Sequence, residues 1–184
     1  MQKIILGFIG PLASGKGTAA KYLAEKHGAG SYRFSTILRD ILSRVYLPDT
    51  RTNMQTVSSV MRGAFGDDLL ALAIAKDVEA DARQIVAVDG VRREPDIKHL
   101  RELPGFYLIS IEADMKLRHE RMTKRGENPD DNAKTFEQFV KDSQAEAEQQ
   151  IAALQQKADF VINNNGDLAN FFRQIDEILE KVKK

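Results

Sequence analysis

The stretch KIILGFIGPLASGKGT, residues 3–18, decides the fold. Its first seven residues are almost all apolar, which predicts a strand covered on both faces, as in a parallel sheet. Two glycines, Gly10 and Gly15, follow with four residues between them, then Lys16, and a helical pattern begins at about Gly15. A buried strand, a glycine-rich turn and a helix in this order predict a loop that binds phosphate with its backbone N–H groups.

The predicted phosphate loop fits the pattern G-x-x-x-x-G-K from Gly10 to Lys16, but Gly17 stands where Ser or Thr is usual. Lys16 would bring a positive charge to the β- and γ-phosphates and is a candidate catalytic residue. The candidate nucleotide contacts of this loop are Gly10, Ala13, Ser14, Gly15, Lys16, Gly17 and Thr18. The alternative is an ordinary strand-to-helix turn with an exposed lysine.

Strands and helices alternate along the rest of the chain. Further strands are predicted at 31–35, 84–90, 106–113 and 158–166. The helices predicted between and after them cover 15–27, 37–47, two or three segments of 49–83 with breaks at Gly63 and Gly66, 94–103, 115–126 capped by Asp114, 135–157, and 167–184 capped by Asp167. This order predicts one α/β domain over 1–184, with a five-stranded parallel sheet and helices on both faces.

The composition of the chain excludes several classes of functional site and of binding partner. The 184 residues include no cysteine, which excludes disulfides, thiolate metal sites and a cysteine nucleophile. With 27 basic and 27 acidic residues the chain lacks the basic character of a protein that binds nucleic acid polymers. The apolar start is too short to span a membrane and lacks a signal-peptide cleavage pattern, so we expect a soluble, cytoplasmic protein, monomeric or homodimeric.

GPLASGKGT resembles the loop of adenylate kinases and other nucleoside monophosphate kinases, where a glycine also separates the lysine from a threonine. The resemblance extends from Lys3 to about Leu179 and implies a three-layer P-loop kinase fold with an acceptor-binding helical segment (about 36–83) and a short lid (about 118–137). It implies transfer of the γ-phosphoryl group of ATP, with Mg²⁺, to a small acceptor that carries its own phosphate, with a ribo- or deoxyribonucleoside monophosphate favoured. In this resemblance Thr18 contacts a phosphate of the nucleotide.

The stretch VAVDGVRR, residues 86–93, places Asp89 at the tip of a buried strand. The carboxyl ends of parallel strands are where open α/β folds bind ligands, so Asp89 is a candidate to hold a magnesium-bound water or to serve the attacking group. Together with Thr18 it is a candidate metal residue. The stretch is similar to the D-G-F-P-R segment of nucleoside monophosphate kinases but lacks the proline. The arginine that grips the acceptor phosphate is therefore Arg92 or Arg93, with Arg92 favoured. For Asp89 the alternative is a helix cap or turn.

Two stretches resemble acceptor-binding segments: residues 34–40 resemble a segment of nucleoside monophosphate kinases, and residues 51–68 resemble the helical acceptor region of deoxynucleotide and dephospho-coenzyme A kinase relatives. FSTILRD, residues 34–40, resembles an F-S-x-x-x-L-R segment and offers Ser35 and Arg39; Thr36 stands near the place of an aspartate that helps to organise magnesium in many relatives. Arg39 could instead pair with Asp40 or Asp49. In residues 51–68 the candidate acceptor contacts are Arg51 and Arg62, and Phe65 is expected in the core rather than on an acceptor base.

A basic helix is predicted to form the lid. Arg118, Arg121 and Arg125 are three and four residues apart and therefore share a helix face. The resemblance places a lid here, whose arginines would neutralise the transferring phosphoryl group, so Arg121 and Arg125 are candidate catalytic residues, Arg121 also contacting the nucleotide. The alternative is a solvated surface stripe.

The tail ADFVINNNGDLANFF, residues 158–172, resembles the end of dephospho-coenzyme A kinases. It implies a turn close to adenine, where backbone groups of Asn164 and Asn165 would contact the base; a plain turn is the alternative. Two other functions stay open: a dephospho-coenzyme A kinase, favoured by this tail, and an ATP-binding switch or assembly factor that acts on a protein partner, favoured by Gly17 and Thr36 in the metal-binding positions.

Overall fold

A single parallel sheet, with the apolar run near the start of the chain at its centre, organises the protein. The computed structural model describes residues 2–126, 131–143 and 146–183. The strands are β1 (Ile4–Ile9), β2 (Gly30–Arg33), β3 (Ile85–Asp89), β4 (Phe106–Glu112) and β5 (Phe160–Asn163). Their order in the sheet is β2-β3-β1-β4-β5, and every neighbouring pair is parallel.

Helices connect the strands and cover the sheet. They are α1 (Lys16–His27), α2 (Phe34–Arg44), α3 (Arg51–Phe65), α4 (Leu69–Ala80), α5 (Glu94–Arg101), α6 (Met115–Arg125), α7 (Phe136–Asp142), α8 (Glu146–Gln155) and α9 (Leu168–Val182), with a 3-10 turn at Asp131–Ala133. None of the helices within the described ranges is both long and apolar enough to cross a membrane.

The two faces of the sheet bury separate cores. On one face Leu6 and Phe8 of β1 pack among the apolar residues of α1 and α9. On the other, Ile5 and Ile9 pack among residues of α2, α4, α5 and α8. Because successive side chains of a strand point to opposite faces, a strand buried on both must be apolar at every position, which explains the run from Ile4. The predicted three-layer α/β fold is confirmed.

Strand register brings the carboxyl ends of β1, β2 and β3 to one edge of the sheet. Phe8 near the end of β1 pairs with Asp89 of β3, and Arg33 at the end of β2 pairs with the same residue. Asp89 therefore lies between the end of β2 and the loop that follows β1. All of these ends point to the carboxyl edge, where α/β folds bind ligands.

Helix α2 begins three residues earlier than the sequence predicts, and β2 ends earlier to match. Arg33 keeps an extended backbone, with φ −140° and ψ 130°, and Phe34 opens the helix. Phe34 is buried and packs close to Gly90, where an added Cβ would lie 3.6 Å from the Phe34 Cβ. Packing between these distant segments, which local sequence does not report, sets the boundary.

Helix α3 runs through Gly63, so the predicted break there is wrong. The helix ends at Phe65, and Gly66 with φ +107° makes the break that was expected of both glycines. The expectation that Phe65 is buried is also wrong, because the residue is 72% exposed. The face of α3 that meets the core carries Met54 and Val57.

The single helix predicted over 135–157 is two helices, α7 and α8. Thr135 begins α7 with a reciprocal cap, accepting from the backbone N of Gln138 while the Gln138 side chain accepts from the backbone N of Thr135. The helix ends at Asp142, and the Ser143 hydroxyl donates to the Phe139 carbonyl at 2.9 Å. The predicted cap of α9 is confirmed, since Asp167 accepts from Asn170 N at 2.8 Å, whereas Asp114 makes no side-chain cap of α6.

Candidate nucleotide-binding site

The loop between β1 and α1 has the backbone of a phosphate loop. Gly15 has φ +115°, and a Cβ there would lie 2.4 Å from the side-chain nitrogen of Asn164. A Cβ on Gly10 would lie 2.4 Å from the carbonyl oxygen of Ile111. Ala13, with φ +60°, also has a left-handed backbone. Both glycines of the pattern are thus required by close contacts with neighbouring strands and turns, not only by the sequence motif.

The first turn of α1 is built to receive an anion. Its N-cap residue, Gly15, offers no side-chain acceptor, and the first turn contains no acidic residue. The N–H groups of a helix start carry a partial positive charge and lack partners within the helix. The Ser14 hydroxyl is fully buried and has no hydrogen-bond partner in the described part of the chain. These groups fit a phosphate chain.

Lys16 lies folded over its own loop. Its ammonium donates to the carbonyls of Gly10 at 2.6 Å and Pro11 at 2.9 Å. The lysine is therefore held at the mouth of the loop, where it would exchange these carbonyls for phosphate oxygens. Thr18 is exposed on the first turn of α1.

Asp89 lies beside the loop and is paired with an arginine that sequence reasoning missed. Arg33 Nε donates to Asp89 Oδ2 at 3.0 Å, whereas Oδ1 is buried and has no partner among the residues described. A Cβ on Gly17 would lie 3.9 Å from Asp89 Oδ2, which shows how close the carboxylate is to the loop. The sequence places Arg33 in a predicted strand, but only the structure shows that this strand lies beside the one that ends in Asp89.

The fit to a magnesium ion is partial. Within residues 2–126, 131–143 and 146–183 no group of three or more His, Cys, Asp or Glu side chains could hold a metal ion. Asp89, with one unpartnered oxygen, is the residue that could accept from a metal-bound water. The donor set thus suits an ion that is held mainly by nucleotide phosphates and water.

Arg121 of α6 points to the site with no carboxylate partner in the structure as described. Its Nη2 donates to the Asn164 carbonyl at 2.9 Å, and its Nη1 is buried without a hydrogen-bond partner. Burial lowers the pKa of Arg121 from its ordinary value, because a charged group loses hydration there. A guanidinium that is desolvated without a counter-charge is a strong candidate to bind an anion.

Asn164 joins the phosphate loop to α6. Its side chain donates to the Ser14 carbonyl at 2.7 Å, and its backbone N donates to the Glu112 carbonyl at 2.8 Å. The residue is 4% exposed, and its backbone carbonyl accepts from Arg121. Both backbone groups of Asn164 have partners in the chain, and its side chain braces the loop; the adenine contact of Asn164 and Asn165 stays a prediction.

The three arginines of α6 do not form one solvated stripe. Arg118 is 5% exposed; its Nη1 donates to the Leu12 carbonyl at 3.2 Å and its guanidinium lies 5.3 Å from the centre of the Phe139 ring. Arg118 therefore supports the phosphate loop through the backbone of Leu12. Arg125 is exposed at the end of α6. The predicted lid continues through residues 127–130, which lie outside the described residues.

A second polar cluster lies at the start of α5, around Asp96, which sequence reasoning also missed. This buried carboxylate accepts from Arg62 Nη2 at 3.0 Å and from the backbone N of Arg92 at 3.0 Å. Burial raises the pKa of Asp96, and Arg62 opposes that rise. Arg92 is exposed, and Arg93 Nη2 lies 3.7 Å from Asp96. Arg62 thus ties α3 to α5 instead of pointing freely into a cleft.

The remaining acceptor candidates are Arg39, Ser35 and Arg51. Arg39 bonds Asp49, which is one of the two pairings that the sequence left open. Ser35 is half-buried in the first turn of α2. Arg51 begins α3, and its side chain lies outside the described residues.

Comparisons with known proteins show the family of the chain. The AAA domain family model AAA_17 matches residues 9–137. A UPF0200 protein of Methanosarcina barkeri is 30% identical over 177 residues, which cover 95% of this chain and 94% of the relative. A UPF0200 protein of Methanoregula boonei is 26% identical over 181 residues, 98% of each chain.

Solved structures share the fold. A shikimate kinase from Bacteroides thetaiotaomicron superposes with a TM-score of 0.65 at 11% identity over 98% of this chain and 99% of that one. A shikimate kinase from Acinetobacter baumannii gives 0.60 at 15% identity over 98% and 93%. The chain therefore belongs to the AAA_17 family of P-loop NTPase domains and to the UPF0200 proteins, and it has the fold of P-loop kinases.

Proposed function

We propose that this protein transfers the γ-phosphoryl group of ATP to a small acceptor that carries its own phosphate, with a ribo- or deoxyribonucleoside monophosphate as the favoured acceptor. The observation that carries the proposal is Arg121. Its buried Nη1 has no partner among the described residues, and Asn164 connects it directly to the phosphate loop. A cation poised beside a phosphate loop is what phosphoryl transfer needs, since the reaction depends on positioning and charge neutralisation.

On the donor side, the backbone of residues 10–18 would hold the phosphates of ATP, and Lys16 would move from the Gly10 and Pro11 carbonyls to phosphate oxygens. The buried Ser14 hydroxyl would gain a partner. Asp89 would accept from water bound to magnesium, and a bound Mg²⁺ would neutralise part of the phosphate charge. Arg121 and Arg125 would face the transferring group.

On the acceptor side, the segment 36–83 and the start of α5 would form the binding cleft, with residues 118–137 as the lid. Arg92 is exposed and held by its backbone on the buried Asp96, so it is the favoured grip for the acceptor phosphate. Arg62 would orient Asp96. Ser35, Arg39 and Arg51 remain proposed contacts of the acceptor.

A second candidate function, an ATP-binding switch that acts on a protein partner, is favoured by the Arg33–Asp89 pair. The carboxylate that would serve magnesium is already bonded to a cation. Dephospho-coenzyme A kinase stays the alternative that the resemblance of residues 158–172 favours.

The test is ADP release from Mg-ATP in the presence of separate acceptors. The panel contains the ribo- and deoxyribonucleoside monophosphates, dephospho-coenzyme A and, because the structural neighbours include shikimate kinases, shikimate. Lys16→Ala is the blank. We expect one monophosphate to raise turnover by orders of magnitude over water. Stimulation by dephospho-coenzyme A or shikimate alone would replace the acceptor, and ATP binding without stimulation by any compound would favour the switch.

A further inference from the structure

Arg33 fills the space beside the phosphate loop in which a hydroxyl-bearing side chain would normally approach the metal. It is the last residue of β2 and lies in register with Asp89, so the two side chains leave the sheet on the same side. Arg33 Nε donates to Asp89 Oδ2 at 3.0 Å, and the side chains are 43% and 5% exposed. The carboxylate of the pair is therefore buried, and the arginine side chain is partly exposed.

Gly17 gives the guanidinium its room. A Cβ on Gly17 would lie 3.8 Å from Arg33 Nη2 and 3.9 Å from Asp89 Oδ2. A side chain at this position would consequently point at both groups. In phosphate loops with Ser or Thr at this position, the hydroxyl binds Mg²⁺ there. In this chain the position is Gly17, and the guanidinium of Arg33 lies in the direction in which that hydroxyl would point.

The charges around Arg33 and Asp89 also fit phosphate binding by Arg33. The described residues contain no cluster of acidic or histidine side chains for a metal, and Asp89 shares its charge with Arg33. Because Asp89 fixes Nε, the direction of the guanidinium is set, and Nη2 is the nitrogen that faces Gly17. An arginine stays charged at any physiological pH and offers a planar fork that matches phosphate oxygens.

We infer that Arg33 is a nucleotide-binding residue whose guanidinium supplies, at the β- and γ-phosphates, part of the positive charge that Mg²⁺ supplies in loops with a hydroxyl at this position. Asp89 positions that guanidinium. ATP binding by this protein should then depend only weakly on Mg²⁺. The inference rests on the proposed function to the extent that the loop must bind ATP, but it needs no acceptor and no turnover.

The experiment measures the dissociation constant of ATP by calorimetry, once with Mg²⁺ and once with EDTA. The proteins are the wild type, Arg33→Gln, Arg33→Lys and Arg173→Gln, which removes an exposed arginine of α9 that pairs with Glu177. We expect the wild type and Arg173→Gln to lose less than about tenfold in affinity when Mg²⁺ is removed. Arg33→Gln should lose about 10- to 100-fold more in EDTA than in Mg²⁺, as expected when a hydrogen bond to a charged group is removed. Arg33→Lys should fall between them.

An equal ratio of the two constants in Arg33→Gln and wild type would overturn the inference while leaving the proposed function intact. Failure of the wild type to bind ATP in either buffer would overturn both. Because Arg33→Gln leaves a buried carboxylate without its cation, its folding is checked by thermal unfolding. If it does not fold, the double variant Arg33→Gln/Asp89→Asn takes its place and is compared with Asp89→Asn instead of the wild type, so that any effect of Asp89 on magnesium is present in both proteins; the same additional loss in EDTA is expected.

Discussion

The side-chain amide of Asn164 donates a 2.7 Å hydrogen bond to the backbone carbonyl of Ser14, although 150 residues separate them. The same side chain lies where a Cβ on Gly15 would fall. The turn that follows β5 therefore holds the backbone of the phosphate loop between β1 and α1 in place. Because Arg121 donates a hydrogen bond to the Asn164 carbonyl, Asn164 contacts both the phosphate loop and α6 and couples their positions.

Asn164→Ala should weaken ATP binding and destabilise the fold. The Ser14 carbonyl would lose its partner in a buried place, which costs about 1–3 kcal/mol. Calorimetry with ATP and urea unfolding measure the two effects. The matched control is Asn165→Ala in the same turn, whose side chain accepts from Asp114 N and does not contact the loop; it should keep the ATP affinity of the wild type. Unchanged ATP affinity in Asn164→Ala would mean that the bond serves stability alone.

Arg121→Met should separate activity from stability. Arg121→Met removes a partly desolvated charge that has no carboxylate partner among the described residues, which favours folding, but it also takes a donor from the buried Asn164 carbonyl, which costs about 1–3 kcal/mol. Because these effects oppose each other, the free energy of unfolding should change by less than about 2 kcal/mol. Turnover with the acceptor identified from the panel should fall by about 100-fold or more, because the charge over the transferring group is lost. Steady-state kinetics and urea unfolding decide. A large loss of stability with little loss of turnover would make Arg121 a structural residue.

Two glycine substitutions should act in opposite directions. Gly63 lies inside α3 with open space where a Cβ would be, so Gly63→Ala should stabilise the protein by about 0.5–1 kcal/mol. Gly10→Ala would place its Cβ 2.4 Å from a strand carbonyl and should lower both stability and ATP affinity. Thermal unfolding of the two variants compares them directly. Destabilisation by Gly63→Ala would contradict the helix assigned across that residue.

Asp81 should contribute to the acid limb of stability. Hydrogen bonds from Arg83 hold the pKa of the Asp81 carboxyl well below its ordinary value, and Tyr32 donates a further one. The folded state therefore binds a proton less readily than the unfolded chain, so this stabilisation is complete above about pH 4 and is lost as pH falls below it.

Asp81→Asn tests that contribution. The variant should be less stable than the wild type by about 1–2 kcal/mol at pH 7. The two stability curves, measured by urea unfolding between pH 7 and pH 3, should converge toward the acid end. Parallel curves would show that Asp81 titrates alike in the folded and unfolded chains.

The phosphate loop and the layered sheet could be predicted because their information is local. An apolar run such as Ile4–Ile9 reports burial on both faces, and the glycine spacing reports a turn. Arg33 and Asp96 could not be found in this way, since their roles depend on which strand lies beside which and on contacts between distant segments. The position of Phe65 was missed for a similar reason, because helix periodicity does not tell which neighbour covers a face.

The central place of β1 in the sheet has a consequence for how the protein is made. β1 is the first of these five strands to be synthesised, yet Ile4 pairs with Ile85 and Ile5 with Phe106. Until β3 and β4 are synthesised, the apolar strand β1 has no strands to pair with, and its backbone N–H and C=O groups stay unpaired. Such segments are prone to aggregate, so the nascent chain should need protection by a chaperone until β3 and β4 have been synthesised, and fragments that stop before residue 85 should be insoluble.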